Sequence, residues 1–310
     1  MRIVFVGSVE FSWHCLREIC LVGGNVAAAF GVHEDHSGGI SDFRAFDDLA
    51  AEFGFPLCKF HKINSHRTIQ RIREFAPDVI FVLGLSQVIG DEILEIPPAG
   101  CIGSHPALLP RNRGRAAIPW AIIKRLPKSG LTFFYLTPGV DDGDIAAQKE
   151  FEITPSDTAT TLYGKIIELG KEMIRELVPA LAAGTALCTP QDHSRANYWP
   201  KRTPEDGLIH WDADAIDIYN LVRAVTHPYP GAFTYVDGRK IIVWGAALEE
   251  EDGDRGEPGE VLSVSVEGIT VAAGKGAVRL FYLEADGKTV DAFDLNVIPG
   301  SVLDCLSAVP

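Results

Sequence analysis

Gly100-Cys-Ile-Gly-Ser-His-Pro-Ala-Leu-Leu-Pro-Arg-Asn-Arg-Gly-Arg115 decides how this chain is read. A short apolar run ends at His105, a turn built on Pro106 and Pro110 follows, and Arg111, Arg113 and Arg115 come next. About one strand further on, Gly139-Val-Asp-Asp-Gly-Asp144 reads as a tight acidic turn. A histidine at a strand end and a carboxylate on a turn are the parts of an oriented general base. The basic loop between them suits an anionic substrate or cofactor.

Outward from this stretch, strand and helix signals alternate through the first half, as a doubly wound α/β domain requires. Strands are expected at Arg2–Val6, Val26–Phe30, Pro56–Lys59, Asp78–Leu83, Ile102–His105 and Leu131–Leu136. Helices are expected at Phe11–Leu21, from Ser41 or Asp42 as cap, at Thr68–Phe75, at Ala116–Lys124 and over Asp157–Ala183, with Ser156 and Asp157 at the cap of the last. The division is a catalytic domain over 1–184, an aperiodic linker over 185–205 and a C-terminal domain over 206–310. In that last part a helix spans Ala213–Val225, and Asp237-Gly238 marks a hairpin between Ala232–Val236 and Lys240–Val243. Short strands over Gly231–Val297 suggest a small OB-like β-barrel. The run Glu249–Asp254 reads as a solvated loop, and His227-Pro-Tyr-Pro-Gly231 as a rigid corner.

Met1–Gly7 reads as a strand and not as a signal peptide, and nothing is long and apolar enough to cross a bilayer, so a cytoplasmic protein is expected. Cys15, Cys20, Cys58, Cys101, Cys188 and Cys305 form no Cys-x-x-Cys pair and read as free thiols. Of the net charge of −14, residues 206–310 contribute −11, from 7 basic and 18 acidic side chains. An acidic domain repels a phosphate backbone, which weighs against nucleic acid as a partner. Val6-Gly-Ser-Val-Glu-Phe11 lacks a dinucleotide fingerprint. His33-Glu-Asp-His36 has the look of a ligand cluster but no further partners along the sequence, so no metal site is expected.

The run His105-Pro-Ala-Leu-Leu-Pro-Arg-Asn-Arg-Gly-Arg115, followed by Gly139-Val-Asp-Asp-Gly-Asp-Ile145, resembles the folate-dependent formyltransferases, and the likeness extends into the C-terminal part. The family includes methionyl-tRNA formyltransferase and the sugar-nucleotide N-formyltransferases. Its signature is Asn-x-His-Pro, then Leu-Leu-Pro with an Arg-Gly pair, then Asp in an Asp-x-Gly turn. The resemblance implies His105 as catalytic base, Asp141 as its carboxylate partner and 10-formyltetrahydrofolate as donor. It places the pterin beside Leu83-Gly-Leu-Ser-Gln-Val-Ile89, where Gly84 suits close backbone approach. Arg111 and Arg113 are candidates for the folate tail or a substrate phosphate. Tyr198, Lys201 and Arg202 are candidates for stacking and diphosphate contact with a nucleotide.

The expected acceptor is an amino-sugar nucleotide. The alternatives are methionyl-tRNA, or a catalytically silent folate- or nucleotide-binding homologue. The last arises because Gly103 stands where the family carries its oxyanion-binding Asn. Ser104 is no replacement, since strand alternation aims it at the opposite face. Water or a backbone N–H in the vacated space, the substrate itself, or loss of efficient transfer would each account for Gly103. Exposed apolar strands in the C-terminal barrel are compatible with a homodimer.

Overall fold

The computed structural model of the chain describes residues 1–250, 253 and 255–304. Its first part runs β1 (Arg2–Gly7), α1 (Glu10–Leu21), β2 (Asn25–Val32), α2 (Asp47–Phe53), β3 (Leu57–Phe60), α3 (His66–Glu74), β4 (Val79–Val82), α4 (Asp91–Leu94) and β5 (Cys101–His105). Then come β6 (Arg113–Gly114), α5 (Ala117–Ile123), β7 (Lys128–Tyr135), β8 (Ile145–Glu152), α6 (Ala159–Ala183) and β9 (Tyr198–Trp199). One sheet has the order β3-β2-β1-β4-β5-β7-β8. Its first five strands are parallel, and β7 and β8 are antiparallel. This is the doubly wound α/β architecture that the alternating signals predict.

The central strands are apolar on both faces because helices cover both. Val4, Val6, Ile80 and Val82 pack with Ile69, Ile72 and Ile93 of α3 and α4. Ile3, Phe5, Val79 and Phe81 are equally buried, and alternation turns them to the other face. Strand order reverses between β1 and β4, the kind of switch point where open α/β sheets take ligands at the strand carboxyl ends. The loop after β4 lies there.

Several local expectations change. No helix opens at Ser41. The Glu10 amide donates to Asp42 O at 2.9 Å and the Arg44 amide to Ser8 O at 3.0 Å, so Ser41 and Asp42 form a turn, Phe43 bridges Val9, and α2 begins only at Asp47. The edge strand β8, for which the sequence reading has no element, carries Gln148, Glu150 and Glu152 on its exposed side. The cap of α6 is Thr158, whose Oγ1 accepts the Thr161 amide at 3.3 Å.

Two compact units divide the chain. One comprises Met1–Ala117, Lys128–Glu152 and Tyr163–Pro200, and the other Ile118–Pro127, Ile153–Leu162 and the chain from Lys201 on. These units differ from a contiguous division at 184 and 205. Residues 185–200 are no free linker, because Thr189 bridges Ile145 and β9 pairs with β6.

The second unit contains α7 (Ala215–Val225), β10 (Ala232–Val236), β11 (Arg239–Glu250), β12 (Val261–Ser265), β13 (Gly268–Ala272), β14 (Ala277–Ala285) and β15 (Lys288–Val290). Asp237 and Gly238 both have positive φ, as the two-residue hairpin between β10 and β11 needs. The sheet runs β10-β11-β14-β13-β12 with β15 on β14. The segment after β15 bridges both outer strands, Tyr235 to Asp304 and Glu260 to Val302, and so closes it as a small β-domain. Glu249 and Glu250 are not loop but the end of β11 opposite β14, and Glu249 Oε1 lies 2.6 Å from Arg279 Nε. Residues 251, 252 and 254 of that acidic run lie outside the described residues. No helix among the described residues is long and apolar enough to cross a membrane.

Cys15, Cys20, Cys58, Cys101 and Cys188 are free thiols, and Cys305 lies outside the described residues. Burial pushes the Cys101 thiol up to about 12. A raised pKa leaves almost no thiolate at neutral pH. Cys101 is therefore expected to resist a thiol-specific reagent until the protein unfolds, while exposed Cys188 is modified first. Peptide mass spectrometry gives the order, and early labelling of Cys101 would contradict the packing of β5.

Candidate active site

β5 lies between β4 and β7, with Gly103 paired to Val82 on one side and Phe134 on the other. His105 ends the strand and is only 5% exposed. Its Nε2 stands 2.7 Å from the carbonyl oxygen of Asn112. A carbonyl only accepts, so Nε2 carries the hydrogen and Nδ1 is the nitrogen left to take a proton. Asp141 Oδ2 is 3.5 Å from Nδ1, an ion-pair separation and not a well-formed hydrogen bond. The tautomer is thus set by Asn112 and not by Asp141, the carboxylate partner. Asp141 stands where it would stabilise the imidazolium.

Both partners are held by backbone geometry. Asn112 and Asp141 have φ of 61° and 52°, a region that Asn and Asp tolerate better than other side chains. Asn112 is pinned by Asn197: its amide donates to Asn197 Oδ1 at 3.0 Å, and Asn197 Nδ2 donates to Asn112 Oδ1 at 3.1 Å. Asp141 Oδ2 accepts the Gly114 amide at 2.8 Å. Gln191 holds the acidic turn from behind, donating to Asp141 O at 2.9 Å and Gly143 O at 2.6 Å.

Arg113 does not project as a surface cation. It is 2% exposed, because β6 pairs with β9 and turns the side chain inward. Its Nη2 donates to Gln191 Oε1 at 2.7 Å and its Nη1 to the Tyr198 hydroxyl at 3.0 Å. Contact with a folate tail or phosphate is therefore not its visible role. Arg111 stays exposed. Gln191→Ala would loosen the Asp141 turn and strip the buried guanidinium of an acceptor. A loss of about 1.5–3 kcal/mol is expected for that charged hydrogen bond, readable in a denaturant titration. An unchanged midpoint would remove Gln191 from this account.

Gly103 packs against Leu136. A Cβ at this position would sit 2.5 Å from Leu136 Cδ2 and 3.1 Å from Leu136 Cγ. The Leu136 side chain thus occupies the place that a Cβ at 103 would claim.

Residues 1–178 match the formyl transferase family, and residues 201–296 match the formyl transferase C-terminal domain. The chain belongs to the formyltransferase family. It is 33% identical to methionyl-tRNA formyltransferase of Geobacter sulfurreducens, over 93% of this chain and 90% of that one. Among solved structures, HypX of Aquifex aeolicus in complex with tetrahydrofolic acid superposes with a TM-score of 0.67 at 23% identity. That match covers 92% of this chain, which spans less than half of HypX, 44%. The N-formyltransferase of Helicobacter canadensis, in complex with folinic acid and dTDP-3-aminofucose, gives 0.67 at 15% identity, over 90% of this chain and 99% of that one.

In this formyltransferase the loop Leu83–Ile89 leaves β4 at the switch point. Leu83 is tied down by Ser12, whose Oγ donates to its carbonyl at 2.5 Å. Gly84 has φ of 65°, and a Cβ there would run into Val9 and Ser12. The Gln87 side chain is engaged elsewhere, accepting the Ile63 amide at 2.9 Å and donating to His61 O at 2.8 Å. Among the described residues, the amides of Leu85, Ser86, Gln87 and Val88 donate to no other part of the chain. That suits a planar ligand read by backbone.

Tyr198 is 58% exposed, with its ring near the Arg113 guanidinium. Lys201 is exposed. Arg202 lies over the Trp120 ring at 4.9 Å and donates to Asp206 O at 2.6 Å, and burial lowers its pKa. Asn112, Asn197 and Gln191 are the contributors that sequence reasoning missed. Asn112 lies inside the decisive stretch, yet it meets His105 through its backbone carbonyl. Gln191 and Asn197 lie in the aperiodic segment, which carries no pattern.

Proposed function

We propose that this formyltransferase moves a formyl group from 10-formyltetrahydrofolate to the amine of an amino-sugar nucleotide, with His105 as general base. The geometry of His105 carries the reading: one ring nitrogen is committed to a carbonyl and the other faces a carboxylate. As the amine nitrogen attacks the formyl carbon, Nδ1 takes its proton and Asp141 stabilises the imidazolium. The bond from the carbon to folate nitrogen then breaks, that nitrogen takes up a proton, and tetrahydrofolate leaves. The pterin is read by the free amides of Leu85–Val88 beside Gly84. A small acceptor is supported by the acidic C-terminal third, at −11, because tRNA binding draws its affinity from cationic contacts with phosphates.

The 33% identity to a methionyl-tRNA formyltransferase favours a second reading, in which the acceptor is methionyl-tRNA. One experiment separates them. Formyl transfer from 10-formyltetrahydrofolate is followed by mass spectrometry against UDP- and dTDP-linked amino sugars, with methionyl-tRNA as a parallel acceptor. A mass gain on one sugar nucleotide supports the first reading, and product on methionyl-tRNA alone replaces it with the second. No product with any acceptor, despite folate binding, would favour a silent homologue.

A further inference from the structure

β2 and β3 are parallel neighbours, with Val32 paired to Phe60. This register sets the residue after each strand, His33 and His61, side by side at the carboxyl edge of the sheet. The His33 amide donates to Phe60 O at 2.9 Å and locks the two strand ends together. A single 3-10 turn, Glu34–His36, then brings Asp35 over both rings. Asp35 Oδ1 lies 2.8 Å from His33 Nδ1, 3.2 Å from His61 Nε2 and 2.9 Å from His36 Nδ1.

Of the three imidazoles, only His36 makes a hydrogen bond to that oxygen, and His33 Nδ1 accepts the Asp35 amide at 3.4 Å, so two ring nitrogens crowd the carboxylate with no hydrogen bond between them. A cation between them would relieve the conflict, because each ligand then donates a lone pair to the centre. The ligand atoms of His33, Asp35 and His61 lie within 4.8 Å of one another. Adjacent corners of a tetrahedron with zinc–ligand bonds of about 2.0–2.1 Å stand about 3.3 Å apart. His36 stacks on His61 with ring centroids 4.0 Å apart and planes at 9°. The in-plane lone pairs of stacked rings run parallel, so His36 supports His61 and does not share an ion with it. Glu34 Oε1 is held by Lys59, which also holds Asp47 at 2.9 Å, and Glu34 Oε2 stands further from His33 Nδ1 than Asp35 does, at 3.8 Å.

The geometry points to a divalent transition-metal site, of the zinc class, formed by His33 Nδ1, Asp35 Oδ1 and His61 Nε2, with water completing the coordination. Two imidazoles and one carboxylate suit zinc, cobalt or nickel and not magnesium or calcium. The third ligand was invisible along the sequence, where His33–His36 stands alone, and parallel strand register supplies it. The site shares no ligand with the His105–Asp141 centre.

The test is calorimetric titration of the whole chain with zinc chloride, with cobalt absorption as a second signal. One ion per chain is expected. His33→Ala and His61→Ala are each expected to weaken binding by at least about 100-fold, beyond the 10- to 100-fold typical of losing a supporting partner. His36→Phe keeps the stacked ring and is expected to bind within about 10-fold of the unaltered protein. The replaced side chains are half exposed, so thermal melts should superpose and formyl transfer by His61→Ala should be unchanged. Absence of stoichiometric binding, or binding by His33→Ala or His61→Ala as tight as that of the unaltered protein, overturns the proposal.

Discussion

His105→Ala is expected to lower formyl transfer by about 100- to 10,000-fold, the range that a positioned general base supplies. The imidazole is the group whose Nδ1 is left unprotonated by a committed Nε2, and it is buried at a strand end. Removing the ring also strands the Asn112 carbonyl, at a cost of about 1–3 kcal/mol. Activity and stability therefore have to be measured together, by turnover and by thermal melt. His105→Gln separates the two effects, since a carboxamide N–H can still serve the carbonyl but takes no proton. Full turnover by His105→Gln would eliminate the base assignment. Asp141→Asn keeps an acceptor for the Gly114 amide while losing the charge near Nδ1. A fall of about 100-fold or more is expected from removing the partner of the developing cation.

The second large effect concerns Gly103. Gly103→Asn by itself is expected to destabilise the protein by about 1–3 kcal/mol through overpacking, because the new Cβ overlaps Leu136. Pairing it with Leu136→Ala removes the obstruction. If an oxyanion donor is what the site lacks, the double variant should exceed Leu136→Ala in turnover by about 100- to 1,000-fold, the size of known oxyanion-donor deletions. Equal turnover of Leu136→Ala and the double variant would mean that another group already serves the oxyanion. The single Gly103→Asn substitution is a poor probe, since a loss from clash and a gain from a donor would oppose each other.

Much of the site was legible because its information is local. His105 and Pro106 with the Leu-Leu-Pro turn form one short motif and the Asp-x-Gly turn a second one further on, and it was their resemblance to the formyltransferase signature that identified them. Arg113 was misjudged for the opposite reason. Nothing near it in sequence indicates that β6 pairs with a two-residue strand 85 positions later, and that pairing turns a loop cation into a buried one. The helix expected at Ser41 failed in the same way. Its capping chemistry is sound, but longer-range hydrogen bonds to Ser8 and Glu10 hold the backbone in a turn and a bridge instead of a helix.

By itself the sequence determined the alternating α/β pattern, the hairpin at Asp237-Gly238, the acidic C-terminal third and the histidine–aspartate pair. The pattern and the hairpin depend on residue type and order among a few neighbouring residues, the charge is a count along the chain, and the histidine–aspartate pair was carried by the resemblance of its two motifs to the formyltransferases. Only the tertiary structure decided that Leu136 occupies the space beside Gly103, that Asn112 fixes the His105 tautomer, that Gln191 braces the Asp141 turn, and that His61 joins His33 and Asp35. These depend on strand register and on loops meeting from distant parts of the chain. Such contacts form when whole strands and loops come together, and no local pattern encodes them.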